Sequence, residues 1–260
     1  MPPIPETKKV LVTVKASPNP SKKYGETVCV AGIDLNTEKW IRLYPIPFRD
    51  LENEKKFKKY STIELRAYKA KDDYRQESFK VDADSIKILS EPLDTKNKWE
   101  ARKKFLMPTV SSSFCKIQED RKGLNISLGM FKPERVNFII KSCKTEDHEK
   151  SAHIYRQGDI YLPPKTPIEQ IPFDFRYSFH CAGNSDCPGH DLMIVDWELH
   201  QSFRKWRSKY KPEQLLLEKI KQRWFGEMCS DKKDTYFFVG NMLAHPDAFM
   251  VLGVFYPPKL

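Results

Sequence analysis

The sequence predicts an α+β fold: an N-terminal antiparallel β-barrel-like sheet, then a C-terminal Cys/His metal knuckle, two helices and a terminal β-hairpin. Three observations predict it. Apolar and polar residues alternate through roughly the first 90 positions. A turn dense in cysteine and histidine, CAGNSDCPGH, interrupts the last third, and apolar residues recur at helical spacing directly after it. With 40% hydrophobic and 12% aromatic residues in a chain of 260, a sizeable core forms and a disordered protein is excluded.

The first segment, residues 1–95, reads as the small barrel. KVLVTVK (9–15) is a strand, followed by a hairpin of TVCVAGID and KWIRLYP around the turn LNTE. Alternation in the second hairpin strand sets Ile41 and Leu43 on one face, Trp40, Arg42 and Tyr44 on the other. STIELRAYKA alternates likewise, and SIKILSE (85–91) closes the sheet. Residues 96–165 form a mixed connecting segment. KWEARKKFLM (98–107) has helical composition and stops at Pro108, TVSSSFCKI holds a short helix, and ISLGMFK and RVNFIIKSC are strand-like. The polar KTEDHEKSAH and the proline-rich YLPPKTPIEQIP, the best linker candidate, come next.

Residues 166–260 carry the knuckle, a helical pair and the terminal hairpin, packed either apart or as one unit with the rest. FDFRYSFHC (173–181) alternates without a fault. A strand ends at Val195, and Asp196 caps a helix whose stripe is Leu199, Phe203, Trp206 and Tyr210. Pro212 takes the first position of the next helix, which stops at Gly226. YFFVGNML and FMVLGVFYP then pair through AHPD.

Lysine and arginine total 45 against 35 acidic residues, a net charge of +10 that favours a polyanionic partner, nucleic acid above all. The competing reading is a solvated basic surface. The longest apolar run, FMVLGVFY, is too short to span a bilayer, and MPPIPETKKV lacks a secretory pattern. The expected compartment is the cytoplasm, with the six cysteines reduced and no membrane partner.

Cys181-x5-Cys187-x2-His190 has the ligand types and the tight Pro-Gly turn of half a tetrahedral zinc site. Cys115, Cys143, Cys229 and His180 compete for the fourth place, and spacing does not choose among them; Cys115 or Cys143 would staple the middle of the chain to its last third. A structural Zn²⁺ is expected, with an iron–sulfur cluster as the alternative. Asp191, Asp196, Glu198 and His200 crowd the next stretch. On one strand Asp196, Glu198 and His200 would share a face, resembling the aspartate and E-x-K strand of restriction-type nucleases, with His200 where lysine belongs. That alternative makes the chain a Mg²⁺-dependent nuclease or phosphohydrolase. Read as a helix start, Asp196 is only a cap and Glu198 a dipole partner.

Trp40, Arg42 and Tyr44, near Lys22, Lys23 and Arg49, form a candidate base-stacking platform with phosphate contacts. Arg204, Lys205 and Arg207, in RKWRSKYK, form a second basic feature, and KKFKK (55–59) a third. The segments ETVCVAGID…EKWIRLYPIPFRD, FHCAGNSDCPGHDLMIVDWEL and FFVGNMLAHPDAFMVLGVFYPP together resemble an uncharacterised family of bacterial proteins. The N-terminal strand rhythm also resembles small PUA-like and OB-type barrels, which implies an RNA- or DNA-binding scaffold. The expected function is nucleic-acid binding on a structural zinc site. The other alternative is a non-catalytic subunit of a larger bacterial assembly, with a protein partner.

Overall fold

In the computed structural model, which describes residues 4–21, 25–70, 72–143 and 168–259, the N-terminal strands close into a barrel. Its staves are β1 (Glu6–Lys15), β3 (Gly25–Asp34), β4 (Lys39–Ile46), β5 (Thr62–Lys69) and β6 (Ser78–Ile88), with short β2 (Asn19–Ser21) beside β3. The order is β1-β5-β6-β4-β3, and β1 pairs with β3 to complete the ring. The expected all-antiparallel sheet is corrected at one place: β4 and β6 run parallel, with Arg42 opposite Ser78 and Leu43 opposite Phe79. A ring of five strands cannot alternate direction at every pair, so closure forces at least one parallel seam. Inside, Val10, Val12, Val30, Leu43, Ile63 and Leu65 are fully buried, as their alternation requires. The last stave begins at Ser78 rather than at residue 85. Its first half is half-buried on both faces, so the alternation that marks a strand is missing there.

The described residues hold four α-helices: α1 (Lys96–Leu106), α2 (Phe114–Leu124), α3 (Trp197–Trp206) and α4 (Glu213–Lys221). The expected pair is α3 and α4; the helical stretches of the connecting segment add the other two. Asp196 caps α3, its carboxylate accepting the Glu198 N–H at 2.8 Å. Pro212 is the cap residue of α4 and not its first helical residue, and the chain continues past Lys221 as a π-turn, Gln222–Glu227.

Two further sheets carry the C-terminal part. One orders β13 (His245–Phe255), β12 (Tyr236–Met242), β8 (Leu128–Phe131) and β7 (Val110–Ser111); the other orders β11 (His190–Met193), β10 (Phe173–Cys181) and β9 (Pro133–Ser142). The terminal hairpin turns at Leu243–Ala244, tighter than the AHPD turn expected. Pro246 is accommodated beside a register shift, where its missing N–H breaks no ladder bond and its carbonyl accepts from Asn241. The polar stretch 144–153 and most of the proline-rich linker lie outside the described residues.

Three apolar clusters fill the molecule. One fills the barrel and one lies under the C-terminal sheets and helices. The third joins Val14, Ala16 and Ile33 of the barrel to Met130, Phe238 and Phe255 beyond it. Backbone bonds cross the same junction: Ser17 N–H donates to the Val195 carbonyl at 2.6 Å. No helix among the described residues is long and apolar enough to cross a membrane.

Candidate metal centre

The strand β10 ends at Cys181, the chain turns through the knuckle, and β11 starts at His190, paired with Phe179. Gly189 has φ +83°, and a Cβ there would stand 3.1 Å from the His180 ring. A side chain would be strained and crowded at once, so glycine makes the turn that aims His190 inward. The fourth ligand comes from α2. Ser113 caps that helix by accepting the Lys116 N–H at 3.0 Å, which sets Cys115 in its first turn, where the helix dipole favours a thiolate.

Among the described residues, the ligand atoms of Cys115, Cys181, Cys187 and His190 lie within 4.8 Å of one another. A zinc tetrahedron, with zinc–sulfur bonds of about 2.3 Å, has sulfur–sulfur edges of about 3.8 Å and sulfur–nitrogen edges of about 3.5 Å. The Cys115 and Cys181 sulfurs stand 3.8 Å apart, and His190 Nε2 is 3.4, 3.7 and 3.2 Å from the sulfurs of Cys115, Cys181 and Cys187. The residues present fit a structural zinc: three thiols and an imidazole, at tetrahedral spacing. An iron–sulfur cluster spreads its ligands over two or more irons, and ligand atoms 3.2–3.8 Å apart suit a single ion instead.

The electrostatics point the same way. Burial and the neighbouring thiols push Cys115 up to about 12, a crowding that a cation would relieve. Burial also opposes the Cys187 thiolate. The Cys181 N–H, 3.3 Å from its sulfur, and the Gly189 N–H outweigh that and hold Cys187 below the usual thiol value. Burial, with His180 nearby, lowers His190 and keeps its imidazole neutral, the form that ligates. Phe114 and Phe179 wall the ring at 4.7 and 5.3 Å.

The other thiols stay apart. Cys143 follows β9 at the end of the sheet where Phe173 pairs with Ser142, the end opposite Cys181. Cys229 donates to the Trp224 carbonyl. Of the acidic–histidine cluster, only Asp196 and Glu198 converge, and they do so on a lysine. Asp191 pairs with Arg176 at 2.6 Å and Lys141 at 3.6 Å. Asp196 and Glu198 share the buried Lys59 ammonium at 3.2 and 3.3 Å. His200 Nδ1 lies 2.6 Å from the Ser17 hydroxyl, and burial, then Arg204, lowers its pKa to about 3. Burial works against the Lys59 charge, but the two carboxylates outweigh it and raise its pKa. Sequence reasoning missed Lys59 as their partner, because KKFKK reads as a basic surface patch; buried Phe57 was its one apolar clue.

The strand platform divides. Arg42 is 4% exposed, its guanidinium donating to the Ser127 carbonyl and hydroxyl, both at 2.9 Å, and to Cys29 Sγ. Trp40 packs edge-on against Phe238. Tyr44 is half-buried, Arg49 pairs with Glu26, and Lys22 and Lys23 lie outside the described residues. On α3, Arg204 donates to the Glu169 carbonyl at 2.8 Å, Arg207 pairs with the Glu169 carboxylate, and Lys205 is exposed.

No curated protein matches the chain. Residues 6–108, the barrel and α1, match a domain of unknown function, DUF8758. Residues 110–260, more than half of the chain and all four ligands, match a second domain of unknown function, DUF8757, and the chain belongs to that family.

Proposed function

We propose that the chain is a nucleic-acid-binding protein of the reducing cytoplasm, stapled by a structural zinc, that holds phosphates on the basic end of α3. One observation carries the reading. Lys205, Arg207, Lys209 and Lys211 are all exposed, while Phe203 of the same segment is buried and Trp206 half-buried. The segment 204–211 contains no acidic residue, on a chain of net charge +10. A surface of this kind draws phosphates electrostatically and without sequence preference. Arg204 and Arg207, tied to Glu169, brace the surface, and the three lysines are the contacts.

The test is fluorescence anisotropy with short labelled RNA and DNA oligonucleotides, single- and double-stranded, over a salt series. Binding weakens with salt at a log–log slope of about −3, and combining Lys205→Ala, Lys209→Ala and Lys211→Ala removes most of that slope. An absence of binding at low salt, or a triple variant that binds as wild type does, overturns the reading.

A further inference from the structure

The first turn of α1 winds left-handed. Asn97, Lys98 and Trp99 have φ of 47, 53 and 66°, where a Cβ crowds the following carbonyl oxygen. Tyr60 has φ 67° as well. Strain of this kind persists only where the surroundings impose it, and it gathers at binding sites. Here both strained segments set a ring against one side chain, Arg102. The guanidinium carbon lies 3.9 Å from the centre of the Tyr60 ring and 4.8 Å from that of Trp99. Trp99 rests in turn on Phe255 and Tyr256, with ring centres 5.5 and 4.9 Å away.

Arg102 is anchored by one nitrogen only. Its Nε–H donates to the Leu93 carbonyl at 2.8 Å, and the Leu93 N–H donates to the Tyr60 carbonyl at 2.9 Å, so guanidinium and ring are fixed to each other. The two terminal nitrogens reach solvent and make no hydrogen bond or ion pair among the described residues. Burial lowers the Arg102 pKa below the usual arginine value, against the pull of Tyr60, Tyr256, Asp94 and Glu198. Both carboxylates are engaged elsewhere: Asp94 accepts the Lys96 N–H at 3.0 Å, and Glu198 holds Lys59 at 3.3 Å.

Two hydroxyls stand beside the guanidinium. Tyr60 is 7% exposed, yet its hydroxyl opens to solvent and has no hydrogen-bond partner among the described residues. Burial raises its pKa to about 12, with Lys59 and Arg102 opposing and Glu198 and Tyr256 adding, so the hydroxyl keeps its proton. The Tyr256 hydroxyl accepts from Arg223 Nη2 at 3.1 Å, which leaves its own hydrogen to donate.

We propose that Arg102 binds a phosphate group where the two matched regions meet, its terminal nitrogens paired with two phosphate oxygens and the Tyr60 and Tyr256 hydroxyls donating to the others. A planar guanidinium matches phosphate in this two-point way, and stacking on fixed rings orders the long side chain before the ligand arrives. A carboxylate, with two oxygens, would leave the hydroxyls without an acceptor. The phosphate is that of a small phosphorylated compound or of a polynucleotide end. The site uses none of the three α3 lysines, so it stands or falls separately from the function proposed above.

The full chain is titrated with inorganic phosphate by calorimetry, at an ionic strength held constant with chloride, beside thermal unfolding. Phosphate binds saturably and raises the unfolding temperature. Arg102→Lys keeps the charge, loses the fork and weakens phosphate roughly tenfold. Tyr60→Phe removes only an unpartnered hydroxyl. It weakens phosphate several-fold and unfolds at the wild-type temperature, so it decides alone if Arg102→Lys folds poorly. Glucose 6-phosphate and an oligonucleotide with a 5′-phosphate or a 5′-hydroxyl separate the sources. Glucose 6-phosphate bound at least as tightly as the phosphorylated oligonucleotide assigns a small compound. A preference for the phosphorylated oligonucleotide over both others, lost in Arg102→Lys, assigns a polynucleotide end. No saturable phosphate binding, or phosphate binding that neither variant weakens, overturns the proposal.

Discussion

Lys15 is a buried cation whose nitrogen donates to the Phe57 carbonyl at 3.3 Å and sits 4.5 Å above the Phe48 ring. Burial, with the Lys59 charge adding to it, lowers its pKa from 10.5 to about 8 against the pull of Glu198 and Asp196. The unfolded chain therefore holds more protons than the folded one between about pH 8 and 10.5, so this residue makes stability rise with pH across that window. Denaturant titrations of wild type and Lys15→Met at several pH values isolate the effect. Wild type gains about 3 kcal/mol at most relative to the variant as pH rises through the window, and a difference that stays flat would remove the assignment. Single residues were the least legible scale in the sequence. Alternation sets Arg42 on the strand face opposite Ile41 and Leu43, and with those two inside the barrel that face is outside it. The outside of the barrel there is the junction with the rest of the protein, which no local pattern reports.

At the scale of elements the sequence was far more legible. The segment 173–181 is β10 to the residue, Asp196 caps α3, and five staves were foreseen where five close the ring. Strict period-two alternation and a cap carry that information locally. What spacing left open was which distant element completes the knuckle, because Cys115 and Cys181 are far apart in sequence and meet only when α2 docks on β10. The geometry makes a paired prediction. Cys115→Ser loses most of the zinc, expected at about one per chain in wild type, and unfolds at a lower temperature. Cys143→Ser keeps both, because its sulfur belongs to the opposite end of the sheet. Elemental analysis beside thermal unfolding decides it, and equal zinc in the two variants would displace Cys115 from the site.

The molecule as a whole is held together across the join of its two matched regions. The shared apolar cluster crosses that join, and so does the buried Lys59 bond to Asp196. Such a pair contributes little net stability compared with an apolar replacement, yet breaking one side is costly. Lys59→Met therefore destabilises the chain by about 3–5 kcal/mol, since Asp196 is left charged and buried. Adding Asp196→Asn recovers more than half, because asparagine removes the charge and still caps α3. Denaturant unfolding of both variants measures it, and a single variant as stable as wild type would show that Lys59 reaches water instead.

The parallel seam that an odd number of staves imposes has a further effect. β4 and β6 share only two registered pairs, Arg42 with Ser78 and Leu43 with Phe79, where the neighbouring antiparallel ladders run longer. Short ladders open at lower free energy than long ones, so amide hydrogen exchange is fastest in the barrel along this seam. Arg42, Tyr44, Ser78 and Phe79 also line a cavity of 390 Å³ between the barrel and the hairpin of β12 and β13. The barrel's least protected line of bonds thus forms part of that cavity's wall, and local opening of the seam reshapes the wall.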